Sequence, residues 1–560
     1  MSIEERLAAL IAEALPEVAL KLGIDGDLPA PEIIAPRQKE HGDFATNVAL
    51  ALAKRAGRPP REVAQAIADA LPPAPFVEKT EVAGPGFLNF FTTDEWLHDA
   101  LREVVARGDD YGRLKPNGQR TQVEFVSANP TGPLHIGHAR NAALGDAIAR
   151  LLEADGWSVE REYYFNDAGA QMELFGRSVE AWLLQLEGHE AEIPEEGYRG
   201  EYVGDIARQI AKDVTFDPPL VERDPDSRWK YVLQHAAPIV LKATEATLER
   251  FGVRFDSYLS ERTLHEAGEI EQAVERLRAS GHAYDADGAT WFRSTEFGDD
   301  KDRVIVRSSG AHTYFAADCA YLIHKFGRGF DHVLYVWGAD HHGDVVRVKG
   351  AASALGYDPE AVEIVIYQFV SFLRGGEPLK MSKRAGTFVT LDQLIDEVGA
   401  DAARFTLLMF SNDSSMNFDI EVVKQQTMEN PVYYVQYGHA RIASILRKAS
   451  ERGIALGAIS DTDLSLLTSE AELDLLRALA EVPEQMAVAA SRRAPHRLTH
   501  ASQDLASRFH RFYTECRVVS DDEELTQARL WLCSGTKQVI ANLLGVLGVS
   551  APESMGRTDA

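Results

Sequence analysis

A chain of 560 residues is too long for one hydrophobic core and predicts three or four domains. Hydrophobic residues at 45% and charged ones at 26% are the balance of a soluble globular protein. The excess of 86 acidic over 58 basic side chains, a net charge of −28, argues against broad nucleic-acid binding, although a specific RNA partner is allowed wherever lysine and arginine cluster on one face.

In chain order, Ile3–Leu22 reads as an amphipathic acidic helix and not as a signal peptide, which needs a basic start and a continuous apolar stretch. Residues 1–110 form a separate α+β module, with a second helix over Pro60–Leu71 and extended segments at Val77–Val82 and Gly86–Phe91. Within it, Pro36–Phe44 is polar and turn-rich, either a solvated loop or an RNA-facing one. Tyr111–Gly118 reads as a linker.

From Thr121 the pattern changes, and the first half of a nucleotide-binding domain is placed at 111–190. Thr121–Ser127 is a short apolar strand, followed by a Pro/Gly-rich turn, a helix from about Gly137 to Ala154 and a strand at Trp157–Phe165. Strand, tight turn, helix and strand open a doubly wound nucleotide-binding fold of the Rossmann type. Residues 191–300 break that rhythm and read as an inserted connective domain, with a strand pair near Ala283–Phe292. Strands return at Val304–Val306, His332–Val336 and Glu363–Phe369, so the second half of the catalytic domain is placed at 301–376 and a loop-bearing region at 377–430. Residues 431–560 read as an all-helical domain. No uninterrupted apolar run is long enough to cross a bilayer, and Val539–Val549 is taken as a core helix. Cys319, Cys516 and Cys533 lack CxxC spacing and read as buried small hydrophobes in a reducing compartment, so no tightly bound metal, no membrane and a cytoplasmic location are expected.

Two short segments carry the chemistry. In His135-Ile136-Gly137-His138, at the start of a helix, two imidazoles one turn apart and a helix N-terminus suit a polyphosphate, and Gly137 leaves room for a flat base. Far downstream, Lys380-Met381-Ser382-Lys383-Arg384 puts cations on a short loop beside Gly375 and Gly376, where they would meet charge building on a departing pyrophosphate. Asp340-His341-His342-Gly343-Asp344 has the spacing of neither a zinc helix nor a calcium loop and reads as pocket lining. In the C-terminal region Arg492, Arg493, Arg497, Arg508 and Arg511 recur near Phe509, Phe512 and Tyr513, a pattern suited to RNA backbone contact and base stacking.

These two segments resemble the HIGH and KMSKS signatures of class I aminoacyl-tRNA synthetases. The runs Val123–Leu134, Asn166–Gln171, Tyr335–Gly343 and His41–Asn47 narrow the resemblance to the bacterial type of arginyl-tRNA synthetase. It implies an arginine–tRNA ligase that forms arginyl-adenylate from L-arginine and ATP, with magnesium accompanying the ATP, and passes arginine to tRNA(Arg). By that resemblance His135, His138, Lys380 and Lys383 are catalytic, and Gly137, Met381 and Ser382 join them around ATP. Glu124, Ser127, Asn129, His135, Tyr314, Asp318 and His342 hold arginine. Ser127 and Asn129 take its α-amino and carboxylate groups; Tyr314 and Asp318 take its guanidinium, which a carboxylate binds through a fork that lysine cannot reproduce. The resemblance further implies a helical anticodon-binding domain, an N-terminal module at the tRNA elbow, activation that waits for tRNA, and a monomer. Arg384 stands where the pattern has serine, and both loop lysines are kept.

Overall fold

The computed structural model describes residues 3–34, 36, 38–167, 169–379 and 388–556. Its N-terminal module is a four-stranded antiparallel sheet, ordered Ile33–Ile34, Phe44–Thr46, Phe87–Thr92 and Val77–Ala83, backed by the helices Ile3–Leu22, Val48–Ala56 and Pro60–Ala70. Leu7, Ile11, Leu15 and Val18 recur at helical spacing on the first helix, and this stripe packs on Leu52, Val63, Ile67 and Phe90.

The central sheet is parallel. From one edge it runs Val362–Tyr367, His332–Gly338, Arg120–Glu124, Ser158–Phe165 and Ser257–Ser260. The helix Ala139–Ala154 packs on it, buried on nearly every side. Its Gly145 lets the helix approach the sheet, since a Cβ there would meet the Phe125 ring at 2.2 Å.

Two assignments need correcting. Ser257–Ser260 falls inside the segment read as an insertion, yet it is the edge strand of the central sheet, paired in parallel with Ser158–Phe165. The insertion before it is the three-helix unit Ala170–Leu186, Glu201–Asp213 and Arg228–Arg250, which closes its own core around Phe175, Val179 and Val232. Val304–Val306, read as a returning strand of the nucleotide fold, lies in the strand Arg303–Val306, which instead pairs antiparallel with Ala289–Phe292 in a small three-stranded sheet. Both segments are four residues long and half-buried, too short for periodicity to reveal which sheet they join.

Four long helices, Pro431–Glu451, Glu470–Ser491, His496–Glu515 and Glu523–Val546, make the C-terminal domain. The last is long and apolar enough to span a bilayer by length and composition, although Lys537 interrupts its apolar run; Leu530, Leu532, Val539, Ile540, Leu543 and Leu544 are buried in the helical core, as the sequence reading of a core helix expects. The start of the presumed linker is docked: buried Tyr111 donates its hydroxyl to Leu479 O (2.9 Å), and Asn542 Nδ2 donates to Tyr111 O (3.3 Å). The cysteines are all buried thiols.

Candidate active site

The strand Arg120–Glu124 ends at the cleft, and the chain turns sharply there. Val126 and Ser127 have φ of 65° and 43°, a conformation that a β-branched residue adopts only under constraint. The constraint is Asn141, whose side-chain oxygen accepts the Val126 N–H (2.6 Å) while its amide donates to Val336 O (2.9 Å). The turn aims Ser127 at the sheet: its hydroxyl donates to Glu124 Oε1 (2.9 Å) and accepts the Tyr164 N–H (3.3 Å). Asn129 is fixed in the same way, accepting from the Asn166 N–H (3.1 Å) and donating to Gln171 Oε1 (3.0 Å).

His135 caps the following turn, its Nδ1 accepting the Gly137 N–H at 3.0 Å. The His135 and His138 rings lie 4.0 Å apart, so both imidazoles present to one place. A Cβ on Gly137 would meet the His135 ring at 2.7 Å, which ties that glycine to the imidazole's position. The far segment reaches the same spot: Ile136 N–H donates to Val389 O (3.0 Å), Leu391 N–H to Leu134 O (2.8 Å), and the Phe388 ring stands 6.3 Å from His135. Lys380, Met381, Ser382 and Lys383 lie outside the described residues. Of their flanks, Leu379 donates its N–H to Phe372 O (2.9 Å) on the strand Val370–Arg374, and Phe388 stands beside His135.

The helix Tyr314–Gly327 supplies the other wall. Tyr314 is exposed at its first turn, and Asp318 follows one turn later on the same face. Asp318 is open to solvent yet ringed by protein, the condition of a cleft floor. Burial, then the nearby carboxylates of Glu124, Glu261 and Asp344, raise its carboxyl to about 7; Arg347 acts the other way. The crowding of carboxylates disfavours a charge here, and a cation placed beside Asp318 would offset it. His342 is exposed and makes no hydrogen bond or ion pair among the described residues, whereas His341 Nδ1 contacts Asp344 Oδ2 at 3.2 Å.

To hold a guanidinium, as the sequence resemblance implies, Asp318 would have to be ionised. In the free enzyme kcat/KM for the cationic substrate therefore falls as pH drops below about 7, by about tenfold per pH unit once Asp318 is protonated. The pH profile of kcat/KM in the activation step measures this, and a profile flat down to about pH 5 contradicts it.

Several residues that serve this site were not singled out from sequence. Glu261 sits just after the edge strand and accepts from Tyr164 OH (2.8 Å) and Asn166 Nδ2 (2.9 Å). Glu124, which the resemblance places in the arginine pocket as added negative charge, is ion-paired with the fully buried Lys325 (3.0 Å), a residue the sequence reading did not name. No local pattern announces either contact, because the partners are far apart in the chain.

The five C-terminal arginines divide. Arg492 and Arg497 are exposed and form no ion pair among the described residues. Arg511 is exposed and meets Glu515 (3.0 Å), while Arg508 meets Asp504 (2.8 Å) and Asp474 (2.7 Å). Arg493 is turned inward, bridging to Glu363 at the edge of the central sheet (3.0 Å). A cleft of about 550 Å³ between Pro431–Glu451 and the end of His496–Glu515 gathers Lys448, Arg452 and Arg517 beside Tyr513, a cationic and aromatic grouping that the sequence reading did not assemble. The Pro36–Phe44 stretch, whose Arg37 lies outside the described residues, borders a cleft of about 380 Å³ that is largely acidic, lined by Glu4, Asp43, Asp94, Glu481 and Glu484.

Comparison with known proteins matches the chain along almost its whole length. The family model described as "tRNA synthetases class I (R), catalytic domain" matches residues 100–444, "Arginyl tRNA synthetase N terminal domain" residues 5–92, and "DALR anticodon binding domain" residues 435–555. The chain is 50% identical over 557 residues to an arginine–tRNA ligase of Moorella thermoacetica, covering 99% of each, and 48% identical to one of Frankia alni, covering 97% of this chain and 99% of that one. Among solved structures it is similar to the Thermus thermophilus arginyl-tRNA synthetase, with a TM-score of 0.75 at 25% identity, covering 99% of this chain and 100% of that one.

Proposed function

The chain belongs to the arginyl-tRNA synthetases, and from that premise we propose how its own residues divide the work. It is an arginine–tRNA ligase: it joins L-arginine to ATP as arginyl-adenylate, releasing pyrophosphate, and transfers arginine to the 3′ end of tRNA(Arg).

On the proposed reading Ser127 and Asn129 hold the α-amino and α-carboxylate groups at the strained turn. Asp318 takes the guanidinium fork, with Tyr314, and with His342 at the rim. ATP enters as its magnesium complex, with its phosphates over His135 and His138 at the helix start and its base against Gly137. Lys380 and Lys383, with Met381 and Ser382 between them, close on the triphosphate. The arginine carboxylate attacks the α-phosphorus and pyrophosphate leaves; the terminal ribose hydroxyl of tRNA then attacks the adenylate carbonyl and AMP leaves. Side chains position and stabilise charge, and none forms a covalent bond to substrate. For tRNA, Arg492, Arg497 and Arg511 remain the outward cations of the helical domain. Arg508 is available through its half-exposed side, and Arg493 serves chiefly to hold the helical domain on the sheet. The N-terminal module is assigned to the tRNA elbow. We further propose a cytoplasmic monomer.

The observation that supports this reading is Asp318, solvent-reached and near the carboxylates of Glu124, Glu261 and Asp344, where Glu124 also fixes Ser127 at the turn that leads to the paired imidazoles. Aminoacylation of tRNA(Arg) with labelled arginine, against lysine and citrulline, tests it. Charging with arginine alone is expected; equal charging with uncharged citrulline contradicts an ionic grip.

A further inference from the structure

On the arginine-activating reading above, we infer that Lys325 is a positioning residue for the amino acid: it holds Glu124 in place, and Glu124 in turn sets Ser127. The geometry begins in the sheet. Glu162, Glu124 and Tyr335 are direct partners on three adjacent parallel strands, so their side chains leave the same face. Two carboxylates directly opposite each other repel, the more so when both are buried, as Glu124 and Glu162 are.

The helix Tyr314–Gly327 crosses that face and supplies the remedy. Tyr314, Asp318, Tyr321 and Lys325 share one stripe at helical spacing, running from the open cleft to the closed interior. Lys325 has no exposed side-chain surface, and its Nζ lies 3.0 Å from Glu124 Oε2. The ammonium also sits over two aromatic rings, 4.1 Å from the centroid of Tyr321 and 3.9 Å from that of Tyr335. Glu162 feels the Lys325 charge too but has direct partners of its own: Tyr321 donates to it at 2.5 Å and Arg328 pairs with it at 2.6 Å. Among the described residues Lys325 is therefore the one cation paired with Glu124.

That division fixes what Glu124 can do. One oxygen faces Lys325 and the other accepts the Ser127 hydroxyl, which stands at the strained turn where the α-amino and carboxylate groups are proposed to bind. The Glu124 charge is consumed inside the protein, and the substrate cation is left to Asp318, one stripe position nearer the cleft mouth. Without Lys325, Glu124 would be a buried carboxylate facing Glu162 and near Asp318. It would rotate away from Glu162, and Ser127 would lose its fixed acceptor.

The test compares Lys325→Met, Lys325→Arg, Glu124→Gln and the double variant Glu124→Gln/Lys325→Met, measuring KM and kcat for arginine and for ATP alongside thermal unfolding. In K325M the arginine KM is expected to rise roughly tenfold or more, with the ATP KM within about twofold of the parent. K325R, which keeps the cation, restores most of the loss. The double variant is no worse than E124Q, because both substitutions act through one contact. If K325M does not fold, the double variant, lacking the stranded carboxylate, is expected to fold with the arginine KM of E124Q. An unchanged arginine KM in K325M overturns the proposal. So do losses that multiply in the double variant, equal rises in both KM values, or a double variant that also fails to fold. A parent enzyme that shows no arginine-dependent reaction would instead remove the functional reading itself.

Discussion

Replacing Asp318 by asparagine is expected to lower kcat/KM for arginine by about 100-fold or more, with most of the loss in KM. Truncating one partner of a desolvated, hydrogen-bonded charge pair costs about 2–5 kcal/mol, roughly 30-fold to several thousand-fold in affinity. Asparagine keeps the shape but turns an NH2 toward the N–H groups of a guanidinium, so a donor faces a donor and the fork is lost. The same substitution should not weaken the fold. The carboxyl of Asp318 is held above its ordinary range by burial and by Glu124, Glu261 and Asp344, so its charge opposes folding wherever it is ionised. The variant should therefore unfold at a higher temperature than the parent above about pH 7, and the gap should close as pH falls and the parent binds its proton. Steady-state kinetics and melting at two pH values measure both halves. A variant with the parent's arginine KM would remove Asp318 from the pocket.

The second large effect is on stability. Asp146→Asn should destabilise the protein by about 3–5 kcal/mol, the cost of stripping one member from a buried ion pair. Arg404 is wholly buried, and its guanidinium donates to Asp146 Oδ2 (2.6 Å), Phe251 O (3.0 Å) and Leu547 O (3.0 Å). Those partners belong to the catalytic helix Ala139–Ala154, the end of the inserted helices and the last turn of the helical domain, so one side chain joins three regions. Asp146 also meets Arg150 (2.7 Å) and Arg161 (3.4 Å). Although burial opposes its charge, Arg404, Arg150 and Arg161 together hold its carboxyl below the ordinary carboxylate range. A depressed carboxylate stabilises the fold above its unfolded-state pKa and loses that contribution only as pH falls through the lower folded value. The deficit of the variant should accordingly be constant between about pH 5 and 8 in denaturant unfolding. A midpoint within error of the parent's would show that the pair is dispensable.

What could be read from sequence follows the range of the interaction. The strand, turn and helix around His135 were legible because each signal is local: an apolar strand, a Pro/Gly turn, then Leu144, Ile148, Leu151 and Leu152 at helical spacing. Asp318 and Tyr314 come from the resemblance, and the structure adds the surrounding carboxylates, whose repulsion a cation beside Asp318 would offset. Ser257–Ser260 was hidden in the supposed insertion because an edge strand of four half-buried residues has no apolar run to betray it. Lys325 and Glu124 are 201 positions apart, and no spacing rule connects them. The C-terminal arginines show the converse error. Recurrence at helical spacing marks a helix face, but it cannot tell that Arg493 turns inward to Glu363, 130 positions earlier.

ATP–pyrophosphate exchange with purified protein, run with arginine or lysine and with or without tRNA(Arg), tests the central claim most directly. Exchange that requires arginine and appears when tRNA(Arg) is present is the predicted result. Equal exchange with lysine, or none with arginine under either condition from folded protein, would contradict it.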